Sequence, residues 1–327
     1  MSTPLVVGDL SERELLARIS QRTGTADAAL VGPGDDAAVL AVRGSLVATT
    51  DTLIEGPDFR REWSDGYSLG WKAAVVNLAD VAAMGASPTA LLVALAMPND
   101  TPVDYIERIS DGLREACREL APGCAVVGGD LTQSSVLTLA VTALGDMRGR
   151  GAVLRSGARD GHTVAIAGEM GVAARGLDVL FARFDGSVPR LDELDAADRR
   201  AVERQLRPEP PLALGITAAE AGASAMMDVS DGLALDATRL AEASGVTIDL
   251  ASADLGVDPE IALRGGEDHA LLATFPAEPP DGFRAIGRVR ERDDAPLLVD
   301  GAAYTGMLGW DPYRDWQAAD GAVGWTA

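Results

Sequence analysis

Polar and apolar positions change period several times along the chain. Ser11-Glu12-Arg13-Glu14 places a hydroxyl residue three positions ahead of a glutamate. Apolar residues at helical spacing follow through Ile19, so this is a capped helix start. Ala37 to Val42 and Leu46 to Thr50 have strand patterns and predict a pair joined by a tight turn at Arg43-Gly44. Tyr67 to Met84 reads as a helix stopped by Gly85, and Thr89 to Met97 as a strongly apolar strand. Val103 to Leu120 has helix periodicity, Cys124 to Val127 a short buried strand, and Val136 to Leu144 a strand that closes an α/β half.

The core signal drops across the glycine-rich run Gly145 to Gly151, which sets expected domains at 1–148 and 149–327. The second half repeats the mixture. Thr163 to Ala167 is a strand leading into a glycine-containing helix start, Gly168-Glu169-Met170-Gly171. Helices are expected over Ala196 to Leu206, Leu212 to Ala221 and Leu233 to Ala243, the last ending near Gly245. Strands are expected at Ala225 to Val229, Thr247 to Leu250, Ala270 to Phe275 and Ala285 to Val289. The fold class is therefore mixed α/β in two domains.

Charge narrows the function. The 327 residues carry 28 basic and 50 acidic side chains, a net charge of −22, which disfavours binding nucleic acid through a basic patch. Lys72 is the one lysine, and no GxxxxGK[ST] occurs, so a P-loop is excluded. Cys117 and Cys124 lack zinc-ligand spacing, and His162 and His269 are too few for a histidine metal site. The amino-terminal residues lack a secretory pattern, and the apolar region Ala73 to Pro98 is interrupted by Asn77, Asp80 and Pro88. A soluble cytoplasmic protein without nucleic-acid or membrane partners is expected.

Placement of the acids is the informative feature. Asp35 and Asp36 precede a predicted strand, Asp51 follows the next, and Glu55 lies four residues on. Asp80 interrupts an apolar helix face, and Asp130 follows a predicted strand in Val126-Val127-Gly128-Gly129-Asp130. Asp228 and Asp231 flank a strand-to-helix turn, and Glu267-Asp268 precede an apolar strand. Strand ends in α/β folds converge on ligand sites, and gathered carboxylates repel unless cations compensate them. Oxygen ligands without His or Cys suit Mg²⁺ bound together with substrate phosphates. Each motif also has a structural reading, as a turn former or a helix cap. The residues themselves lead to a metal-dependent enzyme acting on phosphates.

Seven segments, taken in order, are similar to those of the thiamine-monophosphate kinase family. They are Gly34-Asp35-Asp36-Ala37-Ala38-Val39, Thr49-Thr50-Asp51-Thr52-Leu53-Ile54-Glu55-Gly56, Trp71-Lys72-Ala73 through Asn77-Leu78-Ala79-Asp80-Val81-Ala82-Ala83-Met84-Gly85, Gly128-Gly129-Asp130, Arg155-Ser156-Gly157-Ala158-Arg159, Met227-Asp228-Val229-Ser230-Asp231-Gly232-Leu233, and Gly265-Gly266-Glu267-Asp268. The wider superfamily contains aminoimidazole ribonucleotide synthetase, selenophosphate synthetase and a hydrogenase maturation protein.

The resemblance implies a homodimer whose amino-terminal α/β domains join strands into a barrel, with ATP and Mg²⁺ in a cleft completed by the carboxyl-terminal domain. It implies metal binding by Asp36, Thr49, Thr50, Asp51, Asp80, Asp130, Asp228 and Asp231. Nucleotide contacts would come from Tyr105, Gly129, Asp130, Arg155 and Ser230. Glu267 and an aromatic, Trp310 or Tyr313, would face thiamine, and Asp58 stands where the family has a substrate-contacting histidine. His162 and His269 replace a usual aspartate and tyrosine. The activity implied is phosphorylation of thiamine monophosphate by ATP. A related enzyme with another acceptor, or a silent nucleotide- and metal-binding protein, are the alternatives. The missing amino-terminal cysteine disfavours selenophosphate synthetase, and the missing terminal cysteine tail disfavours the hydrogenase protein.

Overall fold

The computed structural model describes residues 4–34 and 36–310; Asp35 and Tyr313 lie outside the described residues. The chain forms two units: one of Met1–Val81, Ser87–Gly149 and Gly186–Pro189, the other of Ala82–Ala86, Arg150–Asp185 and Arg190–Ala327.

The first unit contains α1 (Glu12–Ser20), β1 (Ala29–Val31), β2 (Val39–Leu40), β3 (Leu46–Ile54), α2 (Gly66–Ala83), β4 (Ser87–Met97), α3 (Val103–Leu120), β5 (Ala125–Gln133) and β6 (Thr138–Asp146). Ser11 and Glu14 cap α1 reciprocally, as their spacing predicts. Leu69, Ala73, Ala74, Val75, Leu78, Ala79 and Val81 are buried around α2, which is therefore a core helix rather than an amphipathic one. Helix α3 buries a stripe of Ile106, Ile109, Leu113, Ala116 and Cys117. A Cβ on Gly70 would lie 2.0 Å from the Ile109 carbonyl oxygen, so α2 and α3 meet backbone to backbone. The sheet order is β3-β6-β4-β5, with β4 and β5 parallel across the α3 crossover and the other pairs antiparallel.

Two expectations change. β2 and β3 are not a hairpin: β2 pairs with β1 in a separate two-stranded sheet, and β3 pairs with β6 along its whole length. The intended turn is held elsewhere, because Arg43 N donates to Asp146 Oδ2 at 2.8 Å. Local alternation identifies strands but not distant partners. The strand after α3 also does not stop at Val127. It continues through Gly128-Gly129-Asp130, and a Cβ on Gly129 would lie 1.9 Å from the Val93 carbonyl oxygen on β4. Gly129 therefore serves close strand approach rather than a turn. Asp51 and Asp130 thus sit inside strands, not beyond them.

The second unit contains β7 (Thr163–Ala167), α4 (Val172–Phe184), α5 (Ala196–Leu206), α6 (Ala213–Glu220), β8 (Ala225–Val229), α7 (Leu233–Ser244), β9 (Thr247–Leu250), α8 (Pro259–Arg264), β10 (Ala270–Phe275), β11 (Arg284–Arg290), β12 (Leu297–Val299) and β13 (Ala302–Ala303). The sheet order is β13-β12-β9-β11-β7-β10-β8, with β9 and β12 parallel. Leu233, Ala237 and Leu240 of α7 share a core with Ile166, Met227, Val229, Ile248 and Leu272. Ala218 of α6 packs in a second cluster with Ala165, Met226, Ala273 and Phe275. Helix α8 was not anticipated, although Asp258 followed by Pro259 is a capped helix start with proline in its first turn. Among the described residues no helix is long and apolar enough to cross a membrane.

Candidate active site

In the first unit, β3 and α2 present acids to each other. Thr49 Oγ1 donates to Asp80 Oδ2 at 2.7 Å, and the Asp51 amide donates to Asn77 Oδ1 at 3.0 Å. Asn77 Nδ2 in turn donates to the Ala73 carbonyl oxygen. Asp80 therefore has its expected partner on a helix that is otherwise apolar, a hydrogen bond worth about 1.5–3 kcal/mol when the acceptor is charged. Alternation sends the Thr50 side chain to the opposite face, where its hydroxyl donates to the Val141 carbonyl oxygen at 2.9 Å. Asp36, Gly129 and Asp130 line a common cavity of about 690 Å³ with apolar walls that include Leu95, Leu113 and Val127. Thr49, Asp51 and Asp80 are not part of that lining.

Three other residues of this unit have local partners. Asp58 Oδ2 accepts from the Ile54 amide at 2.7 Å and closes the turn after β3, while Glu55 pairs with Arg61. Tyr105 donates its hydroxyl to the Ser64 carbonyl oxygen at 2.9 Å, and burial pushes its pKa upward, so it acts as a neutral donor. Lys72 is buried in α2.

In the second unit the site is built from turns. Asp228 is the penultimate residue of β8, and its Oδ2 lies 3.1 Å from His269 Nδ1. The turn after it is held by Asp236, whose Oδ2 accepts from the Ser230 and Asp231 amides, both at 3.1 Å. Arg239 joins Asp236 Oδ1 at 2.7 Å to Asp231 Oδ2 at 2.6 Å. Asp236 is fully buried, and that burial, with Asp231 and Asp228 nearby, pushes its pKa up to about 6. This brace was missed by sequence reasoning; an acid in the first turn of α7 reads as an ordinary match to the helix dipole.

The Gly265–His269 loop lies against the same turn. The Glu267 amide donates to the Ser230 carbonyl oxygen at 2.9 Å, and a Cβ on Gly266 would be 2.2 Å from that oxygen. Glu267 has φ 66°, a conformation that costs a non-glycine residue about 1–2 kcal/mol. Asp268 accepts from the Val172 and Ala173 amides at 3.0 and 2.8 Å. The helix start after Gly168-Glu169-Met170-Gly171 is thus already capped, and those amides do not form a phosphate cradle. The Trp310 amide donates to the Asp231 carbonyl oxygen at 2.9 Å, which brings this aromatic residue to the turn.

Arg155 is exposed at the start of its loop. Ser244 holds that loop: its Oγ accepts from the Gly157 and Ala158 amides and donates to the Arg155 carbonyl oxygen, each at 3.1 Å. Cys117 and Cys124 are buried free thiols, and His162 Nδ1 lies 2.7 Å from Ser224 Oγ.

Among the described residues no three His, Cys, Asp or Glu side chains gather closely enough to hold a metal by themselves. That donor set still fits Mg²⁺, which uses one or two carboxylates with waters and substrate phosphates rather than an all-protein cage.

Comparison with known proteins identifies the family. Residues 34–147 match the family AIR synthase related protein, N-terminal domain. The chain is 41% identical over 302 residues to the thiamine-monophosphate kinase of Mycobacterium tuberculosis, covering 88% of this chain and 86% of that one. It is 36% identical over 286 residues to that of Aquifex aeolicus, covering 82% and 89%. The solved complex of AaThiL with AMPPCP and TMP superposes with a TM-score of 0.73 at 32% identity, covering 94% of this chain and 99% of that one. A hydrogenase maturation protein, HypE, shares the fold at 22% identity and a TM-score of 0.61, covering 90% of this chain and 92% of that one. With identity of this extent across both units, the chain belongs to the thiamine-monophosphate kinase family.

Proposed function

We infer that this chain transfers the γ-phosphate of ATP to thiamine monophosphate, giving thiamine diphosphate. The observation that carries the reading is the pairing of Thr49 and Asn77 with Asp80 and the Asp51 backbone, together with the braced Asp228–Asp231 turn, in a chain of this family. A family complex with AMPPCP and TMP supports the two substrates.

Mg²⁺ ions, which would be held by Asp36, Thr49, Asp51, Asp80, Asp130, Asp228 and Asp231, with Thr50 limited to its backbone carbonyl because its side chain turns to the other face of β3, would neutralise polyphosphate charge when bound. The chain's own residues hold the geometry. Thr49 donates to one Asp80 oxygen and so orients the carboxylate. Arg155 and Ser230 would meet the nucleotide, with Gly129, Asp130 and Tyr105 contributing from the first unit. Asp58, Glu267 and an aromatic, for which Trp310 is the candidate among the described residues, would face the thiamine substrate.

The attacking phosphate has a second pKa of about 6, so it is largely dianionic at neutral pH and needs no general base. Both histidines accordingly serve structural contacts, with Ser224 and Asp228. Repulsion between two polyanions is the barrier, and direct in-line transfer without a phosphoenzyme is the route this residue set supports.

Homodimerisation through the first unit fits its surface. Leu30, Val39, Leu46 and Ile54 are 71%, 50%, 52% and 40% exposed, and β3 is an edge strand of its sheet. We propose a cytoplasmic location, in keeping with the use of ATP. The purified protein, given ATP, Mg²⁺ and a panel of phosphorylated acceptors, should convert thiamine monophosphate. Turnover of another acceptor but not of thiamine monophosphate would remove the substrate assignment and keep the nucleotide site.

A further inference from the structure

Gln205 is 6% exposed on α5, a helix otherwise dominated by arginine, acidic and alanine residues. Its position is set by packing. A Cβ on Gly176 of α4 would lie 2.1 Å from the Ala201 carbonyl oxygen and 2.9 Å from the Gln205 Cβ, so α4 and α5 are in backbone contact beside it. Gln205 Nε2 donates to Glu267 Oε2 at 2.7 Å. Turning the amide over would put its oxygen against the carboxylate, so the hydrogen-bond partner determines the orientation.

The other end of the same amide is the anomaly. Gln205 Oε1 is buried and has no hydrogen-bond donor among the described residues. An unsatisfied buried carbonyl costs about 1–3 kcal/mol, and an apolar residue of similar shape would avoid the cost. The glutamine is therefore poorly explained by stability. What it does achieve is to fix Glu267 at its tip, while the bond to the Ser230 carbonyl oxygen fixes it at the backbone. The next residue, Asp268, is tied to the start of α4, so both helices grip the loop.

We propose that Gln205 is a specificity-determining positioning residue. It holds Glu267 as an acceptor for the amino group of the substrate's aminopyrimidine ring, and the cost of its own buried, unpaired carbonyl is accepted for that placement. The proposal rests on the reading of Glu267 as a thiamine-facing residue. An amino-substituted heteroaromatic ring carries N–H donors, and a site built from oriented acceptors discriminates strongly against an analogue that lacks them.

The test uses the full-length Gln205→Leu variant with thiamine monophosphate and with the analogue bearing an oxo group in place of the ring amino group. We expect KM for thiamine monophosphate to rise about tenfold, with KM for ATP unchanged and the thermal midpoint not lowered. The wild-type preference for the amino over the oxo substrate, in kcat/KM, should shrink by about the same factor. A KM for thiamine monophosphate within about twofold of wild type, an equal rise in both KM values, or undiminished discrimination overturns the proposal. Glu267→Gln separates the two layers. If it raises that KM while Gln205→Leu does not, only the role of Gln205 falls. If neither variant raises it, the assignment of Glu267 falls as well.

Discussion

The two units carry the same kind of ligand, carboxylate oxygen, on different mountings. In the first, Thr49, Asp51 and Asp80 stand on β3 and α2, whose regular backbones aim them; one hydrogen bond joins the tips of Thr49 and Asp80, and another ties the Asp51 amide to Asn77. In the second, Asp228 lies near the end of β8, but Ser230, Asp231 and Glu267 sit on turns. Those turns depend on close contacts at Gly266, on a positive φ at Glu267 and on a buried acid, Asp236, that takes two turn amides. Acids on regular elements can be exchanged at a cost to chemistry alone, whereas acids on braced turns share their support with the fold.

Asp236→Ala should break the second unit most severely. It strands two amides and leaves Arg239 with one carboxylate fewer, a loss of about 3–5 kcal/mol measurable by denaturant unfolding. Asp51→Asn provides the opposite case. Asp51 is exposed on β3, so kcat should fall about 100-fold or more while the unfolding midpoint stays near wild type. An equal loss of stability in Asp51→Asn would erase the contrast between the mountings.

A pH series sharpens it further. Burial pushes the Asp268 pKa from 3.8 up to about 6, despite its bonds to the α4 amides. Between about pH 4 and 6 the unfolded chain releases this proton before the folded chain does, so stability should fall as pH rises, by roughly 2–3 kcal/mol across that window. Asp268→Asn should flatten the decline in unfolding free energy measured at several pH values. The smallest effect is expected for Ser244→Ala, which removes the hydroxyl that organises the Arg155 loop. A loss of about 1 kcal/mol and a few-fold rise in KM for ATP, with KM for thiamine monophosphate unchanged, is the expected result.

Most elements follow from periodicity, because the first unit's helices and the second unit's central strands are long or strongly apolar runs. Helix α3 and strand β8 have the residue limits expected from pattern alone. What the pattern does not contain is partner choice. β2 and β3 look like a hairpin from within, yet their partners are β1 and β6. Gly128-Gly129 looks like the end of the strand until the approach of the Val93 backbone explains Gly129. At the site, the acids are visible in sequence because Asp80 is out of place on an apolar helix and Asp228 and Asp231 flank a glycine turn. Their supports are not visible. Asp236, Arg239, Gln205 and Ser244 occupy ordinary helix positions, and only the folded chain shows which backbone amides and carboxylates they touch.

The central claim is phosphoryl transfer to a phosphate acceptor, and phosphorus NMR of a reaction mixture observes it directly. With ATP, Mg²⁺ and thiamine monophosphate, the monoester resonance should give way to the two coupled resonances of a diphosphate as ATP becomes ADP, and a chelator should stop the change. Release of orthophosphate from ATP with the monoester resonance intact would contradict the account.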